Sequence, residues 1–163
     1  MRCDFFSKKS SHEYIINAID HCLRVLDVGC DEGQIGKILI EQKNCKVIAV
    51  EIDPEKFNNL NFEVIVGDIE NEDILNKINK KIDAIIFGDI LEHLKNPDIV
   101  LLKMKNYLNP NGKIIVSLPN IAYWRIRRDL LFGRFGYTKN GILDKTHLRF
   151  FTFKSAIEMF TRC

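Results

Sequence analysis

Short apolar runs alternate along the chain with longer segments in which apolar residues recur at helical spacing. The apolar runs are continuous and rich in β-branched residues, which is typical of strands that are covered on both faces. They predict strands at residues 23–28, 46–52, 62–67, 82–88 and 112–118. The segments between them predict helices at 33–43, 54–60, 71–80 and 96–108. This alternation predicts an α/β protein with a parallel, doubly wound sheet.

The last third of the chain does not continue the alternation. Residues 121–133 predict an extra helix, a loop with glycines and aromatics follows, and residues 152–162 predict a last helix. No strand-like run follows residue 118. We therefore expect one domain over residues 1–163, with a core at 23–120 and an additional segment at 121–163.

The composition excludes several classes of protein. With 163 residues, 46% hydrophobic and 28% charged, the chain is long and apolar enough for a globular core. No apolar run approaches the roughly 20 residues that span a bilayer, and residues 1–14 lack a secretory signal pattern. Five cysteines without a Cys-x-x-Cys pair argue against zinc knuckles and a disulfide framework. They favour a reducing compartment, so we expect a cytoplasmic protein.

Charge is unevenly distributed along the chain. Residues 1–100 hold 12 Lys and Arg against 19 Asp and Glu (12 − 19 = −7), and residues 101–163 hold 12 against 3 (12 − 3 = +9). The two parts suit different ligand environments, or they reflect drift in composition on solvated faces. The total of +2 is too small to predict a nucleic-acid partner.

A glycine-containing loop follows the first predicted strand, in the sequence VLDVGCDEGQIG at residues 25–36. A dinucleotide fingerprint requires Gly-x-Gly-x-x-Gly, but Asp31 occupies the position of the middle glycine. Its carboxylate would repel a pyrophosphate, which disfavours NAD and FAD. No Gly-Lys-Ser/Thr sequence follows, so a P-loop is also excluded.

Three carboxylates, Asp27, Glu51 and Asp68, stand at the ends of three successive predicted strands. Glu51 follows Gly29 by 22 residues, the place of an acid that binds both ribose hydroxyls. Asp68 can accept a hydrogen bond from an exocyclic amine. Because the carboxyl ends of parallel strands meet at one edge, these groups should converge on one crevice. They predict a cofactor with a ribose, an adenine and positive charge, without phosphate.

The sequences VLDVGCDEG, VIAVEID and VGDI resemble the first three motifs of class I S-adenosylmethionine-dependent methyltransferases. FGDILEHLKNP at 87–97 and LNPNGKIIVSLPN at 108–120 extend the resemblance over residues 23–120. It implies a Rossmann-like sheet of order 3-2-1-4-5 and S-adenosylmethionine as the cofactor. The two antiparallel strands that usually end such sheets have no counterpart here. Strand five is therefore expected at an exposed edge, which favours a homodimer.

The same resemblance assigns the cofactor site. It implies that Asp27 and the backbone of the glycine loop hold the methionine part, and that Glu51 holds the ribose. It further implies that Asp68 and Ile69 flank the adenine. The complete expected set is Asp27, Gly29, Cys30, Asp31, Gly33, Glu51, Ile52, Asp68, Ile69 and Asp89.

Residues 117–152 resemble a bacterial subgroup of these enzymes that includes small-molecule and glycan-associated methyltransferases and, more loosely, the MetW-type proteins of methionine biosynthesis. In that comparison residues 121–163 form a substrate-side insert and a last helix. Arginines among aromatic residues suit an anionic or planar acceptor; the alternative is an amphipathic helix with solvated arginines and aromatics in the core. The arginines are Arg125, Arg127, Arg128, Arg134 and Arg149.

Two histidines, His93 and His147, are candidates for a general base. Both are expected above the carboxyl edge of the sheet, and the ordinary pKa of imidazole suits proton transfer near neutral pH. A base is required only if the acceptor is a hydroxyl, because the sulfonium methyl group is already activated. The alternative for each histidine is a structural hydrogen-bonding role.

A metal is not part of this expected site, but the sequence leaves one alternative open. If residues 89–93 begin a helix, Asp89, Glu92 and His93 share one face. Such triplets resemble those that bind a divalent metal in some quinone O-methyltransferases and small-RNA 2′-O-methyltransferases, where a later histidine, here His147, completes the site. These oxygen-rich ligands favour Mg²⁺ or Mn²⁺.

The expected function is transfer of a methyl group from S-adenosylmethionine to an oxygen or nitrogen of a small acceptor, anionic or related to glycans. One alternative is a non-catalytic or partner-dependent cofactor-binding module of the MetW kind. A second is a metal-assisted O-methyltransferase of a quinone or an RNA 2′-hydroxyl. Asp31 disfavours an NAD oxidoreductase. We expect neither a membrane nor a nucleic acid as partner.

Overall fold

A computed structural model describes residues 10–78 and 80–163. Its five strands form a single sheet with the order β3-β2-β1-β4-β5, in which every neighbouring pair is parallel. The strands are β1 (Arg24–Val28), β2 (Lys46–Glu51), β3 (Glu63–Val66), β4 (Ile82–Gly88) and β5 (Leu108–Ser117). The predicted Rossmann-like α/β fold and its strand order are therefore confirmed.

Helices connect the strands and extend the chain at both ends of the described part. They are α1 (Ser11–Asn17), α2 (Gln34–Lys43), α3 (Glu72–Leu75), α4 (Pro97–Lys105), α5 (Trp124–Leu131) and α6 (Phe153–Arg162), with a 3-10 turn at Leu91–His93. Pro97 begins α4 at a position where its missing N–H costs nothing. Thr152 caps α6, because its hydroxyl accepts a hydrogen bond from the Ser155 backbone N–H while the Ser155 side chain accepts from the Thr152 N–H.

Each face of the sheet carries its own apolar core, as expected when helices cover both faces. On one face, Val25 and Ile86 pack with α1 and α2. On the other, Leu26 and Phe87 pack with α4 and α6. Alternate residues of one strand therefore face opposite cores, which explains why the strand sequences are continuously apolar.

At the amino ends of the strands, hydrogen bonds to one carboxylate of β4 link this strand to β1 and β5. Asp83 accepts hydrogen bonds from the Arg24 backbone N–H at 2.8 Å and from the Asn109 side chain at 2.6 Å. These bonds, that of Arg24 first, lower the pKa of Asp83. The carboxyl ends of the strands lie at the opposite edge and are free to form a binding cleft.

The helix predicted at 54–60 is absent, and this prediction was wrong. The segment forms one turn, in which Asp53 accepts a hydrogen bond from the Glu55 N–H at 3.0 Å, and then continues without helical structure. Asn59 adopts a left-handed φ of 52°, which ends any helix. The helix predicted at 71–80 is similarly reduced to α3.

Two further segments differ from the prediction. Strand β5 begins at Leu108, before the predicted start of the fifth strand at residue 112, and has an irregularity between the pairs Ile82–Leu108 and Ala84–Lys113. Helix α1 was not predicted. Its signal was present, because Ser10 caps the helix by accepting from the Glu13 N–H, a Ser-x-x-Glu pattern.

Strand β5 pairs only with β4, so the described residues leave it at the sheet edge. No further strand follows it in the described part of the chain apart from isolated bridges. Among residues 10–78 and 80–163, no helix has the length and apolar character to cross a membrane. The expectation of no secretory signal concerns residues 1–14, most of which lie outside the described residues.

Candidate functional site

A cleft of about 750 Å³ lies at the carboxyl ends of β1 to β4. It is where a parallel α/β sheet usually binds ligands, at the point where the strand order reverses between β1 and β4. Nine of the ten residues expected to bind the cofactor line it: Asp27, Gly29, Cys30, Asp31, Glu51, Ile52, Asp68, Ile69 and Asp89.

The glycine loop forms one wall of the cleft. Gly29 has a φ of 72°, and its N–H donates to the Val50 carbonyl at 2.7 Å. The side chain of Ile90 lies so close that a Cβ on Gly29 would stand 2.0 Å from its Cδ1. Gly29 is therefore required both by its backbone conformation and by this contact.

Gly33 is the expected residue that does not line the cleft. It precedes α2 with a φ of 73°, and its N–H donates to the Cys30 carbonyl at 2.8 Å. A Cβ there would lie 2.8 Å from the Leu60 side chain. Gly33 thus closes the loop and packs against Leu60 outside the cleft lining.

Glu51 ends β2 and turns its carboxylate toward the glycine loop. One oxygen accepts from the Asp31 backbone N–H at 2.9 Å, and the other accepts from the Asp53 N–H at 3.1 Å. Glu51 is 7% exposed and lines the cleft. A carboxylate offers about four acceptor positions, so about two remain for hydroxyl groups in the cleft.

Asp27 lies on the floor of the cleft and is 2% exposed. Its Oδ2 accepts no hydrogen bond from any of the described residues. Burial, followed by the negative charge of Glu51, raises the pKa of Asp27 to about 7. Burial also raises the pKa of the neighbouring Cys30 thiol to about 12, which keeps it protonated and a poor nucleophile.

The part of the cleft that is expected to hold the adenine lies after β3. Asp68 is exposed, and its carboxylate accepts from the Glu70 N–H at 2.9 Å, whereas Ile69 is buried at 5% exposure. On the other side, Asp89 has a left-handed φ of 54°, and its carboxylate accepts from the Ser117 hydroxyl at 2.9 Å. Both positions provide acceptors beside an apolar surface.

The cleft is strongly acidic. Among the described residues, eight carboxyl groups line it against two lysines: Asp27, Asp31, Glu32, Glu51, Asp53, Asp68, Glu70 and Asp89 against Lys56 and Lys95. The sequence did not indicate a role for these two lysines. Lys56 forms an ion pair with Asp31, with 3.0 Å between Nζ and Oδ1. This excess of acid favours a cationic ligand and opposes a diphosphate.

The two candidate bases differ in position. His93 lines the cleft, with its Nδ1 3.3 Å from both the carbonyl and the hydroxyl oxygen of Thr146. His147 does not line it. Its side chain is 7% exposed, its Nδ1 lies 3.1 Å from the Ile142 carbonyl, and its Nε2 lies 4.0 Å from Glu92. Of the two histidines expected above the carboxyl edge of the sheet, His93 lines the cleft, and the ring of His147 lies 4.8 Å from the ring of His93 without lining it.

The helical face expected for Asp89, Glu92 and His93 does not form. Residues 91–93 make a 3-10 turn, and Asp89 bonds Ser117 instead. Glu92 is 1% exposed, and neither oxygen of its carboxyl group accepts a hydrogen bond from the described residues. Burial, with a contribution from the charge of Asp89, raises the pKa of Glu92 to about 7.

The arginine-rich segment lies away from the cleft. None of Arg125, Arg127, Arg128 and Arg134 lines it. Arg125 and Arg128 lie over the ring of Trp124, at 5.5 and 5.4 Å from its centroid. The alternative was an amphipathic helix with solvated arginines and with aromatics in the core. The arginines of α5 are exposed as this alternative expects, but α5 contains no buried residue, and Trp124 is 56% exposed.

Other cleft residues carried no clear signal in the sequence. His12 enters from α1, whose capping pattern was the available clue. Glu70 accepts from the backbone N–H groups of Lys95 and Asn96, at 3.1 and 2.8 Å, and so joins the β3 loop to the start of α4. Thr146 reaches the cleft from a distant loop that the sequence could not place.

Solved structures share this architecture. A SAM-dependent methyltransferase from Archaeoglobus fulgidus superposes with a TM-score of 0.68 at 18% identity, over 93% of this chain and 67% of that one. The plantazolicin methyltransferase BpumL, solved with SAH, gives 0.68 at 21% identity, over 93% and 59%. At these identities the likeness defines the fold, which is that of the class I methyltransferases.

The sequence comparisons are more specific. The family model described as "Methionine biosynthesis protein MetW" matches residues 9–161, and the chain belongs to this family. A ubiquinone biosynthesis O-methyltransferase of Xylella fastidiosa is 29% identical over 127 residues, 74% of this chain and 48% of the relative. An (S)-coclaurine N-methyltransferase of Thalictrum flavum is 30% identical over 104 residues, 57% and 28%. The chain thus spans about half or less of these relatives' lengths.

Proposed function

We propose that the acidic cleft binds S-adenosylmethionine and that the protein transfers its methyl group to an oxygen or nitrogen of a small acceptor. The observation that carries this proposal is that eight carboxyl groups and two lysines line the cleft in the described part of the chain. S-adenosylmethionine carries a sulfonium and an ammonium and no phosphate, so it suits this field. NAD, with its pyrophosphate, does not.

Each part of the cofactor has a complementary group. In the proposed pose, the ammonium meets the unpartnered oxygen of Asp27, and the ribose hydroxyls occupy the remaining acceptor positions of Glu51. The adenine lies against Ile69 with Asp68 near its amine. Without the cofactor, Oδ2 of Asp27 is buried and accepts no hydrogen bond from the described residues. With the cofactor bound, an ionised Asp27 accepts a charge-assisted hydrogen bond from the ammonium. Binding and ionisation of Asp27 therefore favour one another.

The transfer itself is an in-line displacement. The acceptor atom forms a bond to the methyl carbon while the S–CH₃ bond breaks, and the bonding pair stays on sulfur to give the thioether. A hydroxyl acceptor also loses a proton, and of the two histidines considered as bases, His93 lines the cleft. The cleft walls contribute proximity and alignment.

The acceptor is proposed to be a small molecule, anionic or related to glycans. The support from the arginines is reduced, because those of the α5 region do not line the cleft. Lys95, beside His93, remains as a cation for an anionic group. The relatives are named for different acceptors, and one from Escherichia coli is a tRNA 5-carboxymethoxyuridine methyltransferase, so RNA is the rival acceptor.

Membership of the MetW family supports a second candidate, a cofactor-binding module that acts with a partner protein. A structural neighbour of 12% identity and TM-score 0.68 comes from a complex of a Haloferax volcanii methyltransferase with the activator Trm112. Cofactor binding without turnover by the isolated protein, and turnover on adding a partner, would select this candidate. A homodimer through β5 and a cytoplasmic location stay predictions.

Calorimetry tests the cofactor assignment. We expect micromolar binding of S-adenosylmethionine and S-adenosylhomocysteine and none of NAD. Glu51→Ala should weaken binding by about 1–3 kcal/mol, since a charged acceptor of the ribose is lost. Glu55→Ala is the matched control, because Glu55 is exposed and does not line the cleft. Equal affinity of both variants and the wild type would remove Glu51 from the site.

A further inference from the structure

We propose that Glu92, His93 and His147 form a binding site for a divalent transition-metal ion at the wall of the cleft. One ligand atom from each of these residues lies within 4.8 Å of the others. The cluster joins the 3-10 turn after β4 to the loop that precedes α6. It differs from the set expected from the sequence, because Asp89 is not a member.

The first argument is the isolation of Glu92. Its side chain is only 1% exposed, and neither carboxyl oxygen accepts a hydrogen bond from the described residues. A buried carboxylate without a partner is costly, so such groups are normally paired, hydrogen-bonded or bound to a metal. The Nε2 atom of His147 lies 4.0 Å from Oε1 of Glu92, too far for a hydrogen bond.

The second argument is the orientation of the imidazoles. The Nδ1 of His147 lies 3.1 Å from the Ile142 carbonyl, and the Nδ1 of His93 lies 3.3 Å from the Thr146 carbonyl. An N–H donated to a carbonyl from Nδ1 leaves the lone pair on Nε2. Metal-binding histidines usually have this arrangement, in which a backbone carbonyl fixes the tautomer and the ring.

The third argument is that the backbone holds the cluster in place. The Glu92 carbonyl accepts from the Leu148 and Arg149 N–H groups, at 2.8 and 3.0 Å. These two bonds hold His147 next to Glu92, and the rings of His93 and His147 meet edge to face at 4.8 Å. The three ligands are thus positioned before any ion binds.

The donor set decides which ion fits. Two imidazole nitrogens and one carboxylate oxygen favour Mn²⁺, Fe²⁺, Co²⁺, Ni²⁺ or Zn²⁺ over Mg²⁺ or Ca²⁺, which prefer oxygen. Three protein ligands leave coordination positions for water or an acceptor oxygen. When the site holds an ion, His93 serves as its ligand, and the role of His93 as a base proposed above applies to the metal-free protein. The inference rests on the proposed function in this respect and deepens it.

The experiment is metal binding by the purified chain after removal of ions with a chelator. Titration with Co²⁺, followed by its visible absorption, should show saturation at one ion per chain with micromolar affinity or better. Zn²⁺ should displace it, and the midpoint of thermal unfolding should rise with the logarithm of the free ion concentration once this exceeds the Kd. No saturable absorption, or none displaced by Zn²⁺, would overturn the proposal.

Variants locate the ion. Glu92→Gln and His147→Gln should each weaken Co²⁺ binding by about 100-fold or more, because each removes a ligand. His21→Gln is the matched control, since His21 is an exposed histidine outside the cluster. Equal loss in His21→Gln, or none in His147→Gln, would refute the assignment. If Glu92→Gln does not fold, His147→Gln and the wild-type titration decide.

The result is separable from the cofactor proposal. S-adenosylhomocysteine binding, measured on the same samples, uses the residues of the glycine loop and β2 and should persist in His147→Gln. A wild-type protein that binds the cofactor product but no ion would refute the metal site alone. A wild-type protein that binds the ion but no cofactor product would refute the proposed function alone.

Discussion

Replacing Asp27 by Asn should stabilise the ligand-free protein and weaken its cofactor binding. Asp27 is 2% exposed, and burial raises its pKa from 3.8 to about 7. A pKa raised on folding means that the folded state binds the proton more tightly than the unfolded state. The free energy of unfolding therefore falls as the pH rises from about 4 to 7. Above pH 7 the total decrease due to Asp27 is about 4 kcal/mol.

The amide introduced by Asp27→Asn has no charge to bury, so the stability gain of this variant should grow by about 3 kcal/mol between pH 5 and pH 8. Urea unfolding at the two pH values measures this difference. Asp83→Asn is the matched control: hydrogen bonds from Arg24 and Asn109 lower the pKa of Asp83 below its ordinary value of 3.8, so this variant should lose the same stability at pH 5 and at pH 8. The same variant of Asp27 should bind S-adenosylmethionine about 10- to 100-fold more weakly. A gain that is independent of pH would refute the burial of a charged Asp27.

The remaining predictions concern the loop and the pH dependence of the wild type. Gly29→Ala should lower the free energy of unfolding in urea more than Gly133→Ala. Both glycines have a φ near 70°, but the Ile90 side chain packs against Gly29, whereas no atom lies within 4 Å of a Cβ placed on Gly133. Each should lose about 1–3 kcal/mol from the backbone alone, and equal losses would exclude the contact. The metal-free and cofactor-free wild type should unfold at a lower temperature at pH 8 than at pH 5.5, since burial raises the pKa of both Asp27 and Glu92 to about 7. A rise instead would contradict these buried, unpaired carboxyls.

The parallel core was predictable because its signals are local. Each central strand is apolar on both faces, and Asp27 and Glu51 stand at strand ends that a parallel sheet must bring together. The helix at 54–60 failed because a start signal at Pro54 was not followed by residues that sustain a helix, and Asn59 is left-handed. A start signal fixes where a helix can begin and not how far it continues.

The histidine cluster could not be predicted fully for a different reason. Glu92 and His147 are far apart in the sequence, and tertiary contacts bring them together: the bonds from the Leu148 and Arg149 N–H groups to the Glu92 carbonyl, and the contact of His93 with Thr146. The sequence left open a helical face that included Asp89, but Asp89 precedes the 3-10 turn, has a left-handed φ of 54° and accepts a hydrogen bond from Ser117. Asp89 is therefore not part of the cluster.

A crystal structure of the protein with S-adenosylhomocysteine would test the central claim most directly, that the acidic cleft is a site for an adenosyl cofactor. We expect both ribose hydroxyls within hydrogen-bond distance of the Glu51 carboxylate and the amino group next to Asp27. A ligand bound elsewhere, or one in the cleft whose ribose does not touch Glu51, would contradict it.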